Sequence, residues 1–178
     1  MRIRLGRLDP DIDHVPEGWT GVGHILSGGP PRTVLAYDPE RRPHAIVAGE
    51  EPRPLDPADV NHALVAAVDE AGMALWPGGH THALPETVGI ARRTLARDRI
   101  EKSGLPPAVL RFLGIAAHGP NPAEFGALLL ALGRYTTEAA SAHDEDDRLH
   151  EAETVARNAV DLLRTVRRGK LPRKVSDP

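Results

Sequence analysis

The sequence predicts an α+β fold, with a small N-terminal antiparallel β-sheet followed by an irregular bundle of four to five α-helices. Short apolar runs separated by glycine- and proline-rich turns fill segment 1–55, a pattern typical of strands. Beyond it, apolar residues recur at helical spacing, and the pairs Asp56-Pro57 and Asn121-Pro122 are typical helix starts. We therefore expect a β region over 1–55, a helical bundle over 56–168 and a flexible basic tail over 169–178.

The β region contains four predicted strands. At its start, Ile3 and Leu5 alternate with basic residues, which indicates one apolar and one polar face. The last two runs are joined by a connection with two prolines, a spacing that favours a β-hairpin. We expect segment 49–55 to be the linker that leaves the sheet. The predicted strands span residues 1–8, 19–26, 32–37 and 44–48.

The first helix of the bundle is expected to begin after the cap at Asp56 and to end at Gly72, because glycine is common just past a helix end. An apolar link over 73–76 and a loop over 77–84 would follow. Two further helices are expected, one from Pro85 to about Lys102 and a shorter one over 107–117.

The C-terminal third carries two apolar stripes at helical spacing. The first consists of Phe125, Leu128, Leu129, Leu132 and Tyr135, and it follows the helix start at Asn121. After a polar stretch comes the second, made of Leu149, Ala152, Val155, Ala156, Ala159, Leu162, Leu163 and Val166. Because neither stripe is stable when left in water, we predict that the two helices pack against each other, or against the helices before them, as a hairpin.

Composition excludes several classes of function. The absence of cysteine rules out disulfides, thiolate catalysis and cysteine-based zinc sites. A net charge of −3 gives no global attraction to nucleic acid, and an aromatic content of 3% gives few stacking platforms for single strands. No apolar run approaches the roughly 20 residues that a membrane span needs. We therefore expect a cytoplasmic protein with no membrane partner.

A basic segment offers one candidate site. Gly89 occupies the position of the turn in a helix-turn-helix unit, and the apolar positions of such a unit are occupied by Leu84, Val88, Ile90 and Leu95. This stretch therefore resembles a helix-turn-helix unit. The resemblance implies a DNA-binding regulator, with Arg92, Arg93 and Arg97 on phosphates or base edges. The alternative is a plain amphipathic helix that starts at Pro85 and has a solvated arginine face.

Two histidine groups are candidate divalent-metal sites. In a helix, His143, Asp147 and His150 share one face, a spacing that suits zinc, manganese or iron. The alternative is a solvated acidic first turn, where negative charge is favourable. His80 and His82 form a His-x-His pair that would point to one side of a strand, although polar loop residues are the simpler interpretation. A metal-dependent enzyme would use these groups.

The leading hypothesis is a non-enzymatic interaction or assembly module. No catalytic constellation is complete in the sequence, and we expect no resident cofactor. The triple Leu128-Leu129-Leu130 cannot face a single core, so at least one of these leucines is expected to contact a partner or a second copy. The sequence therefore favours self-association through the C-terminal helices, with DNA binding and metal-dependent catalysis as the alternatives.

Overall fold

A computed structural model confirms the α+β class: in the described part of the chain, a five-stranded antiparallel sheet precedes six α-helices. The structure describes residues 1–26, 32–138 and 145–170. The chain divides into two compact units, Met1–Ala131 and Leu132–Pro178. The strands are β1 (Ile3–Leu5), β2 (Thr20–Ile25), β3 (Thr33–Tyr37), β4 (Pro43–Val47) and β5 (Arg53–Pro54). The helices are α1 (Pro57–Leu75), α2 (His80–Val88), α3 (Arg97–Ser103), α4 (Pro107–Ala117), α5 (Pro122–Glu138) and α6 (Glu145–Lys170), with a 3-10 helix at Arg92–Leu95.

The sheet is an up-and-down meander in the order β1-β2-β3-β4-β5. The four predicted strands are present, and the predicted linker over 49–55 contains a fifth, since Ala45 pairs with Arg53 and His44 with Pro54. A proline in a strand is tolerated there because β5 is an edge strand. The pairing of β2 with β3 shifts register between Gly21 and Gly23, and a Cβ at Gly23 would overlap the backbone carbonyl of Arg4.

The two faces of the sheet have separate cores, because successive side chains of a strand point to opposite sides. Leu35 and Tyr37 of β3 face the main core, which the helices of the first unit cover. Val34 and Ala36 face a smaller cluster on the other side, where Leu8, Val15 and Trp19 pack against them. The segment before β2 thus covers the sheet face that the helices leave open.

Helix α1 is longer than predicted. The side chain of Asp56 accepts a 2.7 Å hydrogen bond from the amide of Ala58, as the cap pattern indicates. The prediction that Gly72 ends the helix is wrong, because α1 continues to Leu75. Gly72 serves close packing instead: a Cβ there would lie 2.8 Å from the ring of His80. The predicted extended link over 73–76 is therefore mostly the last turn of α1.

The region after α1 also differs from prediction. The predicted loop over 77–84 contains the start of α2, and the predicted helix from Pro85 to Lys102 does not form as one piece. Gly89 ends α2 in the left-handed conformation, with a φ of 68°, and its amide bonds back to Pro85. Pro85 lies inside α2 and is buried, so tertiary packing outweighs its preference for a helix start.

Helix α5 buries a different face from the one predicted. Phe125 and Leu128 are 40% and 51% exposed, whereas Leu129 and Leu130 pack against the main core. The contact centres on Gly126, because a Cβ there would overlap the carbonyl of Leu75. Periodicity missed this face because a glycine adds nothing to an apolar stripe.

The predicted hairpin of the last two helices is realised only in part. Within the second unit, the Tyr135 hydroxyl at the end of α5 donates a 3.0 Å hydrogen bond to Glu151 near the start of α6. Ala152 is buried, at 4% exposure. From Arg157 to Arg167, however, every side chain of α6 is exposed, so most of the second stripe is not covered.

Candidate functional site

The most distinctive surface of the described residues is the apolar stripe of α6. Six large aliphatic side chains on this helix are between 41% and 69% exposed. They are Leu149, Val155, Val160, Leu162, Leu163 and Val166. Such a concentration of apolar surface on one helix is typical of a binding face.

The stripe has the spacing of a helix-pairing seam. Ala152, Ala156, Ala159, Leu163 and Val166 are separated alternately by four and three residues, counting from Ala152. This is the a/d spacing of a coiled coil, in which each side chain packs between four residues of the facing helix. The remaining faces of α6 are polar, with ion pairs such as Arg157–Glu153 at 2.6 Å and Arg164–Asp161 at 2.9 Å. Among the described side chains of α6, the apolar contact surface is therefore the stripe.

The three consecutive leucines of α5 face different directions, because neighbouring residues of a helix lie on different sides of it. Leu129 and Leu130 lie against the main core, and Leu128 faces outward at 51% exposure. Phe125 lies one turn before Leu128 and is 40% exposed. These two side chains form a smaller exposed patch on α5. Whether Leu128 contacts a partner remains a prediction.

His80 and His82 do not point the same way. Both lie in α2 and not in the predicted loop, and residues two positions apart in a helix differ by about 200° around its axis. Metal binding by this pair stays a prediction. The Nε2 atom of His80 lies 3.2 Å from Asp69 on α1, and the ring packs against Gly72. The Nε2 atom of His82 instead lies 2.7 Å from the Arg92 guanidinium.

The second histidine group is described only in part. His143 lies outside the described residues, while Asp147 and His150 are both exposed on the first turns of α6. Among the described residues, no group of three or more histidine, aspartate or glutamate side chains is arranged to hold a metal ion. Metal binding by His143, Asp147 and His150 stays a prediction.

The arginines of the predicted DNA-binding segment are all exposed, but they lie on different elements. Arg92 and Arg93 lie in the 3-10 helix, and Arg97 is the first residue of α3. Arg97 is paired with Glu101 at 3.0 Å. Arg93 lines an open hollow together with Arg99. DNA binding stays a prediction, and its three arginines do not share one continuous recognition helix.

Sequence reasoning missed one buried polar cluster. Asp13 is 5% exposed, and its carboxylate lies 3.1 Å from His24 Nε2 and 3.3 Å from Arg32 Nε. Burial raises the pKa of Asp13, but the Asp9 amide, His24 and Arg32 together lower it more, so the net shift is downward. The carboxylate is therefore held charged between β2 and the loop before it. No local spacing links Asp13 to His24, so only the fold reveals the pair.

No protein-family model, curated protein or solved structure matches this chain. Among the described residues, none of the helices combines the length and the apolar character required to cross a bilayer.

Proposed function

We propose that this protein is a non-enzymatic interaction or assembly module that self-associates through its C-terminal helices. The observation that carries the proposal is the exposed stripe of α6. Five of its side chains, Leu149, Val155, Leu162, Leu163 and Val166, belong to the stripe expected from the sequence, and they are 41% to 69% exposed. Pairing of this helix would remove most of them from water.

The energetics favour such pairing. Full burial of one leucine or valine side chain contributes about 1.5–3 kcal/mol. An isolated helix gains little stability from intrinsic propensity, and most helices depend on packing of an apolar face. Helix α6 spans 26 residues, and most of its apolar face lacks a covering element among the described residues. A second copy supplies the same surface, which makes a two-fold contact possible without any other partner.

The test is the mass of the full chain in solution, measured by size-exclusion chromatography with light scattering over a range of concentrations. We expect a dimer or higher oligomer. The variant Leu162→Gln/Leu163→Gln should weaken it by at least about a hundredfold, since each buried leucine contributes about 1.5–3 kcal/mol.

The matched control is Thr154→Gln/Thr165→Gln. Both threonines lie on α6, both are exposed, and each hydroxyl bonds only to a carbonyl of its own helix. We expect this variant to keep the mass of the unmodified protein. A chain that is monomeric at every concentration, or an oligomer that the leucine variant leaves unchanged, would overturn the proposal.

A further inference from the structure

We infer that the stripe of α6 pairs with α6 of a second copy of this chain in the antiparallel direction. The inference rests on the proposed self-association and adds the orientation and register of the contact. Three features of α6 carry it: the distribution of charge along the helix, the order of small and large side chains in its seam, and the residues that flank the seam.

The charge of α6 reverses along its length. Residues 145–153 contain five carboxylates and one arginine, whereas residues 157–170 contain five cations and one aspartate. A parallel pair would place like charges side by side at both ends. An antiparallel pair brings the acidic half of each helix close to the basic C-terminal end of the other, so the two ends attract. The macrodipoles of the helices also oppose each other in that orientation.

The seam favours the same orientation. Beyond Ala152 it runs through the half-buried Ala156 and the exposed Ala159, Leu163 and Val166, so two small side chains precede two large ones. In a parallel pair, alanine faces alanine and leucine faces leucine, so the layers at one end are small and less well packed than those at the other. In an antiparallel pair centred near Asp161, Ala159 faces Leu163 of the partner subunit, and Ala156 faces Val166 of the partner subunit. Each layer then contains one small and one large side chain.

The flanking residues agree with this register. The positions that follow the seam residues Ala152, Ala159 and Val166 are Glu153, Val160 and Arg167. The flanking pairs are centred on residue 160, one residue before the seam centre: Glu153 lies beside Arg167 of the partner subunit, and the two copies of Val160 meet. Ala152, which is already buried within the chain, lies outside the two small–large layers. The layers therefore use residues of the stripe that are half-buried or exposed.

Single-cysteine variants of the full chain test the orientation, because the natural sequence contains no cysteine. One variant carries Ala156→Cys, and the other carries Val166→Cys with a size tag. Ten residues separate the two positions, which is about 15 Å along a helix. A disulfide needs Cβ atoms within about 3.5–4.5 Å, so the orientation decides which pairs can form.

We expect oxidation of the mixture to yield a disulfide that joins the Ala156→Cys variant to the tagged Val166→Cys variant, with little product from either variant alone. A mixture of Thr154→Cys and Thr165→Cys controls for random collision and should give little product.

Crosslinking of Val166→Cys with itself, and not with Ala156→Cys, would show a parallel pair and overturn the inference while self-association stands. A monomer in light scattering would overturn the proposed function as well. An oligomer that none of these cysteines crosslinks would place the interface away from α6.

Discussion

The indole Nε1 of Trp76 donates a 2.7 Å hydrogen bond to the carbonyl oxygen of Gly126, fifty residues further along the chain. The bond is buried, and it joins the residue after α1 to the first turns of α5. At the same contact, the α-carbon of Gly126 lies close to the carbonyl of Leu75. The start of α5 is thus fixed to the end of α1 by one polar contact and one close backbone approach.

Replacement of Gly126 by alanine should destabilise the first unit. The added Cβ would overlap the Leu75 carbonyl, which is backbone and cannot rotate away. Overpacking of this kind costs about 1–3 kcal/mol of unfolding free energy, measurable by urea denaturation. Gly119→Ala is the control, because the nearest atom to its Cβ would be the Ala116 carbonyl oxygen at 3.5 Å. Equal midpoints for the two variants would contradict the close approach.

The substitution Trp76→Phe tests the polar half of the same contact. It removes the indole donor while keeping an aromatic ring in a site that is 6% exposed. A typical hydrogen bond contributes about 0.5–1.5 kcal/mol net, and loss of ring volume adds to that cost. Trp19→Phe is the comparison, since its ring contact is with His44 on the other side of the sheet. If Trp76→Phe were no more destabilising than Trp19→Phe, the bond would be of minor importance.

The elements that the sequence predicted well are those governed by local chemistry. Alternation and turn residues placed four strands, the proline pairs placed the starts of α1 and α5, and α4 has the predicted bounds. Two of the failures involve glycines. In sequence, Gly72 resembles a helix stop and Gly126 resembles a position of no structural importance. In the structure, each permits the close approach of a distant element. Such an approach depends on tertiary structure and leaves no periodic signal.

The buried carboxylate of Asp13 should make stability depend on pH in the acid range. Its pKa in the folded state is lower than the ordinary value of 3.8. Stability from this group is therefore present above that value and is lost as the pH falls through the folded pKa. At neutral pH, Asp13→Asn should lower the free energy of unfolding by about 1–3 kcal/mol, because His24 and Arg32 lose a charged partner.

The measurement is urea denaturation of both proteins between neutral pH and the acid limit of folding. The difference between them should be constant near neutrality and should shrink below about pH 5, as Asp13 of the unmodified protein becomes protonated. Asp11→Asn is the control, since Asp11 is exposed in the same turn. A difference that stays constant down to acid pH would mean that the charge of Asp13 does not contribute.

As with the fold, the sequence predicted those features of the candidate site that depend on local spacing and missed those that depend on tertiary structure. The stripe of α6 was visible in sequence because its aliphatic residues recur at helical spacing, and so was the outward position of at least one leucine in the α5 triple. The exposure of the stripe was not visible, because spacing predicts that a face is apolar without indicating what covers it. The direction of His80 and His82 depended on the secondary structure of their segment, which is a helix and not the predicted loop, and two histidines alone do not determine it.

A charge exchange at the edge of the proposed seam gives the last prediction. The variants Glu153→Arg and Arg167→Glu should each form weaker homodimers, because both pairs at the edge of an antiparallel contact become repulsive. Mixed together, the two variants restore opposite charges at both edges, so the heterodimer should be preferred by about tenfold, given about 0.2–1 kcal/mol for each exposed pair. Native mass spectrometry of the mixture measures that ratio.

Raising the salt concentration should reduce the preference while the dimer persists, because screening weakens the edge pairs and leaves the apolar seam intact. Statistical mixing at low salt would mean that Glu153 and Arg167 are not neighbours across the interface, since no other contact of the seam distinguishes the two variants.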